Sequence, residues 1–130
     1  MKKIALITTN KILAQGLDAA MQARPDLELE FFMLLNPHQA LLDAEIFEIN
    51  VAIIDIALVN VMDKDKQETP LSFCEELHKS LPNCHLLLLV SQFDKASRKM
   101  ATEAKRKKVV DDFVFYDASL KYLFAKLAAY

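Results

Sequence analysis

Residues 51–58 read VAIIDIAL, Val51 to Leu58. The run is apolar apart from Asp55, which reads as a strand buried on both faces, as in a parallel sheet covered by helices. Its one carboxylate lies toward the C-terminal end. In an open parallel sheet, chemistry collects outside the carboxyl ends of the strands. Asp55 is therefore the first candidate functional residue. The plain alternative is a strand-end carboxylate that caps a turn.

Upstream, Lys3–Ile7 (KIALI) reads as a first strand, and Thr8, Thr9 and Asn10 supply helix-capping chemistry after it. A helix to about Ala23 puts Leu13, Leu17, Ala20 and Met21 on one face. Arg24-Pro25-Asp26 stops it, because proline cannot continue the hydrogen-bond ladder. Leu27–Leu35 reads as a second strand. Asn36-Pro37-His38-Gln39 opens a short helix, with Asn as cap and Pro in the first turn, ending near Asp43 or Glu45.

Downstream, Val59–Glu68 is a polar loop longer than the usual strand-to-helix connection. Thr69-Pro70 opens a helix to about Ser80 with Phe73, Cys74 and Leu77 inward, and Leu81-Pro82-Asn83 breaks it. His85–Val90 (HLLLLV) is the next buried strand, with Ser91 just past its end. Asp94–Lys108 reads as a polar helix whose thin apolar face is Met100, Ala101 and Ala104. Asp112–Tyr116 (DFVFY) is the last strand. Asp117 is the expected cap of a final helix, Ala118–Ala129, with Leu120, Leu123, Phe124 and Leu127 inward.

Five strands alternating with five helices require a parallel sheet with helices on both faces and right-handed crossovers. The expected architecture is an α/β, flavodoxin-like (βα)5 sandwich with strand order 2-1-3-4-5, in a single domain spanning 1–130. The ends of strands one and three then meet at the switch point. Thr8, Thr9 and Asp55 should cluster there, with Ser91 and Tyr116 at the rim.

The single glycine, Gly16, excludes the glycine-rich phosphate loops that usually accompany such alternation. A net charge of −2 argues against a nucleic-acid surface covering the whole domain. No apolar run approaches the roughly 20 residues that span a bilayer, and Lys2-Lys3 with the short apolar run after it is no signal peptide. Cys74 and Cys84 read as reduced thiols of a cytoplasmic soluble domain. His38, His78 and His85 lack metal-ligand spacing, and Ser91 has no evident His and acid partners for a triad. Lys95, Arg98, Lys99, Lys105, Arg106, Lys107 and Lys108 form a basic face, either solvated or available to an acidic partner.

Taken together, these segments resemble a response-regulator receiver domain of two-component signalling. The likeness is carried by KIALITTNKILAQGLDAAMQARPDLELE, VAIIDIAL, LPNCHLLLLVS and VVDDFVFYDASLKYLFAKL in that order. The resemblance implies a phospho-acceptor aspartate at Asp55, served by a histidine kinase. It implies an acidic pair for Mg²⁺ where this chain has Thr8 and Thr9, and a phosphate-contacting Ser/Thr at Ser91. It implies a lysine where Tyr116 stands, followed by Asp117 in place of proline, and a switch aromatic at Phe113. One carboxylate beside two threonines is a weak Mg²⁺ site. The expectation is a pseudo-receiver without a required cofactor, acting through protein contacts. A working phospho-receiver on Asp55 and a small flavodoxin-like binding protein or enzyme are the alternatives. Partners implied are a histidine kinase or another signalling protein. The resemblance also implies a homodimer through the fourth helix, fifth strand and fifth helix, where Tyr116, Tyr122 and Tyr130 lie. Nucleic acid would be reached only through an attached output domain, and no membrane is involved.

Overall fold

The computed structural model describes residues 1–57 and 70–130. The expected polar loop, with Asp63, Asp65 and the Thr69 helix start, lies outside the described residues. So does Leu58.

The strands are β1 (Lys2–Ile7), β2 (Leu29–Leu34), β3 (Val51–Asp55), β4 (His85–Val90) and β5 (Asp112–Phe115). The helices are α1 (Lys11–Gln22), α2 (Pro37–Phe47), α3 (Pro70–Ser80), α4 (Lys95–Arg106) and α5 (Leu120–Ala128). All five strands are parallel in the order β2-β1-β3-β4-β5, as expected from the alternation. At the switch point Ile7 pairs with Ile54, and on the other side of β3 Asp55 pairs with Leu89.

Strand alternation sends side chains to opposite faces, and this divides the core in two. Ala5, Ile7, Ala52, Ile54, Leu86 and Leu88 meet Ala40 and Ala44 of α2, Cys74 and Leu77 of α3, and Ala101 and Ala104 of α4. Ile4, Leu6, Val51, Ile53 and Leu87 meet Leu17 and Met21 of α1 and Leu123, Phe124 and Leu127 of α5. Each fully buried Leu or Ile contributes about 1.5–3 kcal/mol. Both cysteines are free and buried. Burial pushes their thiols up, to about 12 for Cys74 and about 11 for Cys84, so they are inert at neutral pH.

Several expected boundaries move for identifiable reasons. β3 stops at Asp55, because Ala57 N turns back to donate to Asp55 Oδ1 at 3.0 Å. β2 starts at Leu29, because Pro25–Leu27 forms a 3₁₀ turn closed by Glu28 in the left-handed region. α2 continues to Phe47 and ends on Glu48, also left-handed. α4 is shorter than expected at both ends. Asp94 is its N-cap, accepting from Ala96 N and Ser97 N, and Lys108 turns left-handed beyond it. The left-handed non-glycine corners among the described residues are Glu28, Glu48 and Lys108, with φ of 53°, 55° and 61°. Gly16, by contrast, sits in α1 with open space where a Cβ would go.

Of the three capping candidates after β1, one is used, and the expected Asp117 cap of α5 is corrected. α1 is capped by Asn10, whose side chain accepts from Leu13 N at 3.0 Å, and not by either threonine. α5 begins at Leu120 with Ser119 as its cap, accepting from Tyr122 N at 3.1 Å. Asp117 instead accepts a hydrogen bond from Gln92. Leu120 is therefore at the first turn and 49% exposed, not inward.

Candidate functional site around Asp55

Thr8 follows β1, Asp55 ends β3 and Tyr116 follows β5, so the sheet delivers all three to its carboxyl edge. Thr8 is 0% and Asp55 3% exposed, and they are the buried polar side chains among the described residues. A buried carboxylate needs donors. Thr8 Oγ1 donates to Asp55 Oδ2 at 2.6 Å and accepts from Asn10 N at 3.0 Å. The Tyr116 hydroxyl and Ala57 N both donate to Asp55 Oδ1. No Lys or Arg among the described residues forms a salt bridge with this carboxylate.

Tyr116 is anchored from two sides. Its backbone N donates to Val90 O at 3.0 Å, which ties the residue after β5 to the end of β4. The residue as a whole is 39% exposed. Burial, reinforced by the hydrogen bond to Asp55, pushes its phenol well above the ordinary tyrosine range. Tyr116 is thus a neutral donor at physiological pH.

The other expected site residues do not join this cluster. Thr9 is exposed. Ser91 lies half-buried just past β4, but its hydroxyl accepts from Phe93 N at 3.2 Å in the turn toward α4. Phe113 is half-buried on β5, edge-on to Phe115 at 5.7 Å, with the Lys105 ammonium 5.9 Å above its ring.

Sequence reading passed over Asp112. It accepts from Lys126 of α5 and pairs with Lys105 of α4 at 3.0 Å, joining the two helices that flank β5. Burial works against its charge. The hydrogen bonds from Lys126 and Lys105 outweigh that and hold the carboxyl below its ordinary value. Its neighbour Asp111 accepts from Leu86 N at 2.8 Å and faces His85 Nδ1 at 3.5 Å. His85 opens β4 at the amino end of the sheet, and its ring stacks on Tyr130 at 4.6 Å.

The described residues do not fit Mg²⁺. That ion requires near-octahedral oxygen donors with little tolerance in geometry. Here the Thr8 hydroxyl proton is directed at Oδ2, the Tyr116 proton at Oδ1, and the carboxylate is nearly closed to solvent. Among the described residues there is no grouping of three His, Cys, Asp or Glu side chains suited to a metal. No helix among them is long and apolar enough to cross a membrane.

No family model matches the chain, and neither does any curated protein. Solved structures do match. A response regulator from Burkholderia pseudomallei, containing a phosphorylated aspartic acid, a calcium ion and citrate, is 21% identical over 99% of this chain and 69% of its own, with a TM-score of 0.75. A CheY-like receiver domain protein from Methanospirillum hungatei is 17% identical over 99% and 92%, with a TM-score of 0.73. An adenylate cyclase from Rhodopirellula baltica is 15% identical over 98% and 85%, with the same score. At these identities the likeness is one of fold. The chain has the CheY-like, flavodoxin-like fold of response-regulator receiver domains.

Proposed function

We propose that this chain is a receiver-like signalling domain, a pseudo-receiver that acts through protein contacts without Mg²⁺-dependent phosphorylation of Asp55. The observation that carries the reading is the closure of Asp55, which is 3% exposed with donors on both carboxylate oxygens. Phosphoryl transfer depends on metal and cationic groups that neutralise the transferring oxygens. A phosphoryl group would add about −1.5 to −2 charges. Thr8, Thr9 and Tyr116 stand where the receiver likeness calls for two acids and a lysine, and each is neutral. On this reading the chain is a single cytoplasmic domain and not an enzyme. Its partner is a histidine kinase or another signalling protein, met on the α4–β5–α5 face. Nucleic acid is contacted only through an output domain joined to it.

A second reading, a phospho-receiver using Asp55, is favoured by one observation. Asp55 ends the central strand β3 beside β4, and Ser91 follows β4. The two readings part on one experiment. The protein is incubated with acetyl phosphate or beryllium fluoride, with and without Mg²⁺, and followed by intact mass and by amide NMR shifts around Asp55. No modification and no Mg²⁺-dependent shift are expected. Robust Mg²⁺-dependent modification that disappears in Asp55→Asn overturns the pseudo-receiver reading. A cofactor that co-purifies with the protein points instead to a binding protein or enzyme on this fold.

A further inference from the structure

The two edges of the sheet carry opposite charge. Between Arg24 and Lys64 the chain has no Lys or Arg. The β2–α2 edge lies within that stretch and displays Glu28, Glu30, Glu45 and Glu48, all exposed. At the far side of the same sheet face, Lys95–Lys108 holds seven of the sixteen Lys and Arg residues and one acid, Glu103. Lys95, Arg98 and Lys99 fall on one exposed stripe of α4, and none forms a salt bridge with a described residue. Neither do the four glutamates. The acidic edge also exposes a pair of large apolar side chains one helical turn apart, Leu42 at 57% and Ile46 at 64%.

We infer that the occupant of the basic α4 face is the acidic β2–α2 edge of a second copy of this chain, docked head to tail. Three features of the molecule favour that occupant. Charge is complementary between the two edges, and complementary fields set orientation and partner choice. A two-fold pairing that set α4 against α4 would place Lys95, Arg98 and Lys99 against their own copies. The methylene stems of lysine and arginine can cover apolar surface while their heads stay in water, which suits Leu42 and Ile46 between the glutamates. A head-to-tail contact uses two different surfaces, so it closes into a ring or extends into a filament. The inference rests on α4 being a contact face, as proposed above, and is independent of the state of Asp55.

The test follows mass against concentration by light scattering and sedimentation velocity on the 130-residue chain, at low salt and at about 500 mM, where screening reaches only roughly 4 Å. At low salt the mass should rise above the 14.8 kDa of the monomer. High salt should weaken association at least about tenfold. Glu30→Lys with Glu45→Lys reverses one edge, and Arg98→Glu with Lys99→Glu reverses the other. Each variant alone should stay monomeric while keeping the wild-type circular dichroism, and an equimolar mixture should associate again. A wild type that is monomeric at every concentration overturns the inference, including one that responds only to an added polyanion. So does association that survives both reversals, which places the contact elsewhere, or a mixture of folded variants that stays monomeric. The phosphodonor experiment reads none of these quantities, so the two proposals fail separately.

Discussion

Tyr116 donates its hydroxyl to a carboxylate oxygen of Asp55 across 61 residues of chain, joining the residue after the edge strand to the end of the central one. The bond satisfies the carboxylate with a neutral donor. Tyr116→Phe keeps the ring and removes the donor. A hydrogen bond to a charged group is worth about 1.5–3 kcal/mol, and a loss in that range is expected in urea unfolding at neutral pH. An unchanged midpoint would mean that the bond does not form in solution.

The same bond makes the protein sensitive to alkali. The Tyr116 phenol is raised above its unfolded value of about 10. Its protonated form is therefore favoured in the folded state. The stabilisation is complete below about pH 10 and is lost as pH rises through the folded value. Thermal melts should fall above about pH 10, and the fall should be shallower in Tyr116→Phe. Parallel pH profiles for the two proteins would contradict this.

Thr8 and Thr9 are neighbours in sequence and opposites in role. Thr8→Val keeps the shape of a fully buried side chain but leaves Asp55 Oδ2 and Asn10 N short of a partner. A loss of about 1–3 kcal/mol is expected. Thr9→Val, on an exposed residue, should stay within about 0.5 kcal/mol. Equal losses from the two substitutions would remove Thr8 from the site.

Asp112 is expected to contribute to acid sensitivity. Its folded carboxyl lies below the ordinary value, so its contribution is present above about pH 4 and is lost as pH falls through the folded value. Asp112→Asn should lower stability at neutral pH by about 1 kcal/mol and flatten the profile below pH 4. The stability difference between wild type and variant, measured from about pH 6 to 2, should shrink toward the acid end.

Helix caps give a further check. Ser119→Ala removes the acceptor for Tyr122 N and should cost about 1 kcal/mol.

The fold was legible because hydrophobic patterning is a local signal. VAIIDIAL and HLLLLV declared strands buried on both faces, and the alternation with helices then left few topologies. Strand ends were less legible. The turn at Ala57 and the left-handed Glu28 depend on backbone bonds that composition does not announce. Three candidate capping residues followed β1 in a row, and only tertiary contact shows that Asn10 caps while Thr8 turns inward to Asp55. At the site, the topology brought Asp55, Thr8 and Tyr116 to one edge, yet gave no sign that Tyr116 reaches the carboxylate itself. Ser91 and Phe113 reached the expected strands and then found other partners. Asp112 went unnoticed because its two lysines come from separate helices.

The three left-handed corners at Glu28, Glu48 and Lys108 bear on heat tolerance. Each holds a long side chain in a conformation that costs about 1–2 kcal/mol and that glycine adopts without that penalty. The chain's one glycine sits in mid-helix, where alanine would gain about 1 kcal/mol. The molecule thus holds its flexible residue where a stiff one would serve and stiff residues where a flexible one would serve. Exchanging them should raise the melting temperature without touching Asp55 or its donors. The heat tolerance of this domain is thus expected to depend on its corners as well as on its core.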